Sequence, residues 1–284
     1  MVVNTIIMIN KLLPTVTIPY SIARGSMQER AQKAERLTDN LYRKTVHATY
    51  DGNISLKVVR HILSKVMPPN VKILVMENEN TFSEGANDFL FNRNNDIYAT
   101  TLELRTQNGI FPKEHLVDIF HEGRHIADGL FNPKYYGRFQ KLEKRGLLDT
   151  KYYKLYDEDL YTRECMEFKS DKKIILKLLE RKIKKLLRKH NISDKIDILQ
   201  NLRYDLESER NAFTSQLKYA KELEKKGMIM TDDRGTDFRE EFIFDEKINL
   251  IKRIAFDLIK KERGKSAAKR AKIHSSKANL KNKK

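Results

Sequence analysis

The sequence predicts an α+β fold: a small mixed or antiparallel sheet packed on one chemically marked helix, followed by an extensive helical C-terminal half. Three observations point that way. Residues 71–76 (VKILVM) form a short apolar run with the length and composition of a buried strand. Residues 89–91 and 97–100 flank Asn92-Arg93-Asn94-Asn95-Asp96, whose side chains favour turns, so a hairpin is expected. From residue 172 onward, apolar residues recur at helical spacing with only short interruptions.

In chain order, residues 1–26 form an N-terminal apolar segment broken by Asn4, Asn10 and Lys11. No basic stretch precedes it, so a signal peptide is not favoured, and no uninterrupted run is long enough for a transmembrane segment. Residues 27–47 and 54–66 read as helices ahead of the sheet. The next helix takes Pro112 as its first residue and Gly129 as its end, with Pro133 soon after. These elements make up a catalytic core over residues 27–171. A helical region spans 172–261, with its last two long helices, around 193–226 and 238–261, separated by Gly227 and the Asp232-Asp233-Arg234-Gly235 turn. Residues 262–284 are rich in Lys and Arg and nearly lack large apolar side chains, so a disordered basic tail is expected. The single cysteine, Cys165, excludes both an intramolecular disulfide framework and a cysteine-based zinc site.

The chemistry lies in His121-Glu122-Gly123-Arg124-His125. On a helix the two histidines stand one turn apart on a single face, where two imidazoles can reach one Zn2+ ion, and Glu122 can take a proton from the attacking water. Leu116, Ile119, Phe120, Ile126, Ala127 and Leu130 supply an apolar back to that helix. Val117, Asp118, His121, His125 and Asp128 form the opposite, polar face, which suits a cleft. A catalytic zinc takes three protein ligands, so a third must come from elsewhere.

Three carboxylates are candidates. Glu167 is preferred, because Asp171 four residues on would share its helix face and could accept a hydrogen bond from a ligand imidazole. Glu209 is the main alternative: it lies within the apolar stripe of Leu202, Leu206, Ala212, Phe213, Leu217 and Ala220, where a carboxylate needs a partner, and Gln216 follows two turns later. Glu164 is the third. The pairing of HEGRH with a later Glu-x-x-x-Asp resembles the gluzincin branch of zinc metallopeptidases. That resemblance implies a zincin-like fold, His121, His125 and Glu167 as zinc ligands, and Glu122 as general base. The Glu-x-x-Ala-Phe run at Glu209 is in turn similar to third-ligand segments of some phage and toxin zincins. Among the tyrosines, Tyr135, Tyr136, Tyr152, Tyr153, Tyr156 and Tyr161 are candidates to donate to a developing oxyanion, and Arg124 to clamp a substrate carboxylate.

The net charge of +17 is localised. Residues 260–284 carry net +10 and residues 172–189 net +8, leaving the remainder at −1. The basic character thus belongs to appendages of a nearly neutral body. Lys265, Lys269, Arg270 and Lys272 of the tail are candidate contacts for nucleic acid or another polyanion. The expectation is a zinc-dependent metallopeptidase acting on a polypeptide substrate, in a cytoplasmic or virion-associated setting rather than a secreted one. The alternative is a nucleic-acid-associated or virion or mobile-element structural protein with a structural or vestigial zinc site.

Overall fold

The computed structural model describes residues 25–49, 54–67, 72–77, 85–91, 97–104, 109–111, 116–132, 139, 141–155, 169–228 and 243–281. It contains helices α1 (Met27–Ala48), α2 (Leu56–Val66), α3 (Leu116–Phe131), α4 (Thr150–Leu155), α5 (Lys169–Leu187), α6 (Ile192–Lys225) and α7 (Phe244–Lys281). Strands β1 (Ile54–Ser55), β2 (Lys72–Glu77), β3 (Gly85–Phe91), β4 (Ile97–Leu104) and β5 (Ile110–Phe111) complete the named elements. The chain divides into two compact units, Met1–Gly137 with Asn211–Phe238, and Arg138–Arg210 with Arg239–Lys284. This division cuts across the 27–171 and 172–261 segments read from the sequence.

In the first unit, α1 opens with a capping box. The Ser26 hydroxyl accepts from the Glu29 amide at 3.2 Å, and the Ser26 amide donates to Glu29 Oε2 at 2.5 Å. Its Ala34, Leu37, Leu41 and Tyr42 recur at helical spacing and are buried against Ile119, Phe120, Ile126 and Ala127 of α3 and Tyr219, Ala220 and Leu223 of α6 in one core. Tyr42 stacks on Tyr219 with centroids 4.5 Å apart, and Phe120 meets both rings. Each such aromatic contributes about 1.5–3 kcal/mol through burial. The one small residue of the HEGRH segment has a packing role here: a Cβ on Gly123 would overlap Leu41 Cδ2, so glycine lets α1 approach α3 closely. Three strands pair in the order β2-β4-β3, with β2 parallel and β3 antiparallel to β4, and β1 pairs with β5.

In the second unit, Asn191 and Asp194 cap α6 reciprocally, at 2.9 and 2.7 Å. Arg145 binds Asp194, and reaches Asp197 at 3.3 Å. The stripe of α5 is buried through Leu179, Ile183, Leu186 and Leu187, whereas Ile174 and Leu178 are exposed. Lys172 pairs with Glu246, and Arg253 with Glu180 at 2.9 Å, tying α5 to α7.

The expected α+β zincin-like fold, with its small sheet as the layer behind the motif helix, is corrected: the protein is predominantly helical. Four of its helices run 22, 19, 34 and 38 residues, against strands of 2 to 8. The buried back of α3 meets helices α1 and α6 in the described core. Two local expectations also change. Gly129 does not end the motif helix, which continues to Phe131 with Gly129 buried inside it. The tail expected to be disordered over 262–284 is helical to Lys281, in keeping with its many alanines, lysines and arginines, which are good helix formers. No described helix is long and apolar enough to cross a membrane.

Candidate metal centre

The geometry of the site follows from the pitch of two helices. On α3, residues 118, 121, 125 and 128 recur at helical spacing and share a face. On α6, residues 209, 213 and 216 do the same. The partners run in opposite senses along the two helices: Asp118 and His121 meet Gln216, and Asp128 meets Asn211.

His121 Nε2 and His125 Nε2 stand 3.1 Å apart. Glu209 joins them, with one ligand atom from each of the three residues all within 4.8 Å of one another. Tetrahedral zinc with Zn–N bonds of about 2.0–2.1 Å separates neighbouring ligand atoms by about 3.3 Å, close to the observed pair. Two imidazoles and a carboxylate are also the donor set that zinc takes in hydrolytic sites. The residues therefore fit a zinc ion, with His121, His125 and Glu209 as the ones to hold it. His125 is buried and His121 half-buried. Phe213 meets the His121 ring edge-on, with centroids 4.7 Å apart, which fixes the ring plane.

Glu122, next to His121 in the chain, is buried at 8% exposure, so solvent access to its carboxylate is restricted. Arg124 is not poised to clamp a substrate, because its Nε donates to Asp128 Oδ1 at 3.0 Å. Asp128 is buried and also accepts from Asn211 Nδ2 at 3.2 Å. Burial pushes its carboxyl above the ordinary value, against the opposing pull of Arg124, the Asn211 bond and His125. This tie holds the Asn211 turn of α6 beside α3.

The structure thus brings together His121, His125 and Glu209. Glu167 and Glu164 lie outside the described residues, and Asp171 sits on the first turn of α5 with its side chain outside them. Lys265, Lys269, Arg270 and Lys272 lie on the helical backbone of α7, and their side chains too are outside the described set. Of the tyrosines, Tyr152 is fully buried in the second unit, accepting from Asn201 at 2.7 Å and donating to Asp205 at 3.2 Å. Tyr153 is 38% exposed, and Tyr135, Tyr136, Tyr156 and Tyr161 are not described. Sequence reasoning did not assign Asn211 or the roles of Asp118, Asp128 and Gln216. The signal that was there is the shared helical spacing of Glu209 and Gln216. No protein-family model matches this chain, and neither a curated protein nor a solved structure matches it.

Proposed function

We propose that the protein is a zinc-dependent metallopeptidase in which His121, His125 and Glu209 hold the metal and Glu122 is the general base. The observation that carries this reading is the convergence of one atom from each of those three side chains within 4.8 Å. When bound, zinc supplies Lewis acidity toward the scissile carbonyl and makes water a nucleophile near neutral pH. Glu122 takes the proton of the attacking water and returns it to the leaving amine, a transfer worth typically 10²–10⁴-fold. Its restricted exposure keeps that carboxylate from being swamped by bulk water. Asp128, held by Arg124 and Asn211, keeps α3 and α6 in register, so that the ligands stay placed while the substrate is exchanged.

The test is paired. Purified full-length protein should carry one zinc by elemental analysis, and His121→Ala should lose it. Glu122→Gln should retain zinc and lose cleavage of an unstructured protein such as casein by at least about 100-fold. Cleavage unchanged in Glu122→Gln would sink the peptidase reading.

A second reading, association with nucleic acid or another polyanion, is supported by α5, where Lys173, Lys177, Arg181, Lys184, Lys185 and Arg188 are all exposed. It calls for DNA binding that weakens steeply with salt and drops when Lys177, Arg181, Lys184 and Arg188 are replaced by glutamine.

A further inference from the structure

We infer that Asp118 and Gln216 are positioning residues that hold His121 in the tautomer with its hydrogen on Nδ1, so that its Nε2 lone pair faces His125 and Glu209. The inference rests on the metal-site reading for its consequence, though not for its geometry. Gln216 Nε2 lies 3.3 Å from Asp118 Oδ1, and Gln216 Oε1 lies 3.0 Å from His121 Nδ1. The Gln216 amide donates its NH2 to Asp118 Oδ1. That fixes the other end of the amide: its oxygen, an acceptor only, faces the imidazole. His121 must therefore donate from Nδ1, and a neutral imidazole that donates from Nδ1 carries its lone pair on Nε2. The same Nε2 is the atom 3.1 Å from His125 Nε2. One carboxylate, two bonds away, thus decides which imidazole atom can bind a cation.

The relay differs from a direct carboxylate–histidine bond in its charge. The group touching the imidazole is a neutral amide, and the negative charge sits one residue further off. Two of the three members come from α3 and one from α6, so the orientation of His121 depends on the two helices remaining in register. The Phe213 ring blocks rotation of the imidazole out of this arrangement.

The experiment uses full-length protein labelled with nitrogen-15 in histidine and stripped of metal with a chelator. Long-range nitrogen–proton correlations should show His121 with a protonated Nδ1 and an unprotonated Nε2. Gln216→Leu keeps the volume but removes the relay. It should lose the fixed tautomer and weaken zinc binding roughly 10–100-fold, the range seen when an outer partner of a ligand histidine is removed. Asp118→Asn combined with Gln216→Glu reverses the relay, with the amide now donating to a carboxylate that accepts from His121. This pair should restore the tautomer and bring zinc affinity within about threefold of wild type. Circular dichroism of each variant confirms the fold. A wild-type His121 protonated on Nε2 overturns the inference. So does weaker zinc binding in Gln216→Leu with an unchanged tautomer, or a reversed pair no better than Gln216→Leu. A wild type that binds no zinc, yet shows the Nδ1 tautomer lost in Gln216→Leu, upholds the positioning and defeats the metal reading instead.

Discussion

In the second unit the buried Tyr152 phenol takes part in a ring of three hydrogen bonds. Asn201 donates to Tyr152 Oη, and Tyr152 and Asn201 both donate to Asp205 Oδ2. Around α3 in the first unit, the materials are similar: a carboxylate, an amide and an aromatic ring. There the chain from Asp118 through Gln216 to His121 ends on an imidazole nitrogen that faces a second imidazole nitrogen. Both networks are internal and well bonded. What separates them is where they lead: one closes on Asp205 Oδ2, and the other reaches His121, whose Nε2 lies 3.1 Å from His125 Nε2.

The contrast can be broken or sharpened in four steps. The largest effect is expected at the third ligand. Since loss of an outer partner alone costs about 10–100-fold in metal affinity, Glu209→Ala should cost more than about 100-fold by zinc titration. Glu167→Ala should leave zinc affinity unchanged, and the reverse pattern would return the assignment to Glu167. Next comes Gly123→Ala, which forces a methyl group against Leu41 and should destabilise by about 1–3 kcal/mol in urea unfolding. Third, Tyr152→Phe deletes a hydroxyl from the closed network and should cost about 1–1.5 kcal/mol. Its zinc content should stay at the wild-type value, and a loss of metal there would erase the distinction between the two networks. The smallest effect is at Asp39. Burial works against ionisation of this carboxyl, but bonds from Lys218 and Tyr219 and the charges of Lys218 and Arg43 outweigh it, leaving it below its ordinary value. Its contribution is therefore present above about pH 4 and lost as pH falls through the lower folded value. Asp39→Asn should cost about 0.5–1 kcal/mol at pH 7 after allowance for partial exposure. The deficit relative to wild type should vanish in unfolding curves measured near pH 2.

What could be read from the sequence was whatever short spacing determines. His121 and His125 sit four apart on α3 with an apolar back of Ile119, Phe120, Ile126 and Ala127, and that needed no knowledge of the rest of the chain. Helices at 27–47 and 54–66 were legible for the same reason, and appear as Met27–Ala48 and Leu56–Val66. The third carboxylate was not. Its meeting with the histidines is a long-range event, and local logic favoured Glu167 because Asp171 lies one turn away. Gln216 and Asn211 were invisible as functional groups because neither amide has a meaning until its partner on α3 is known. The fold class went astray differently. An apolar hexamer and a turn-rich pentamer identify strands, but they do not say how much of the core those strands provide. The described core of the first unit draws on α1, α2, α3 and α6, with Ile54 from β1 and Leu102 from β4. The tail was misjudged because scarcity of large apolar residues argues against packing and does not argue against helix, for which Ala267, Ala268, Ala271 and Ala278 are well suited.

The close approach of Leu41 to Gly123 turns two distant positions into a matched pair. The first variable place of the metal motif is filled by the only residue without a Cβ, and the residue that imposes this lies on a different helix. A smaller side chain at 41 would release position 123 to carry alanine, and a larger one would push the motif helix away from its neighbour. The composition of the motif is thus written partly in α1, a different helix.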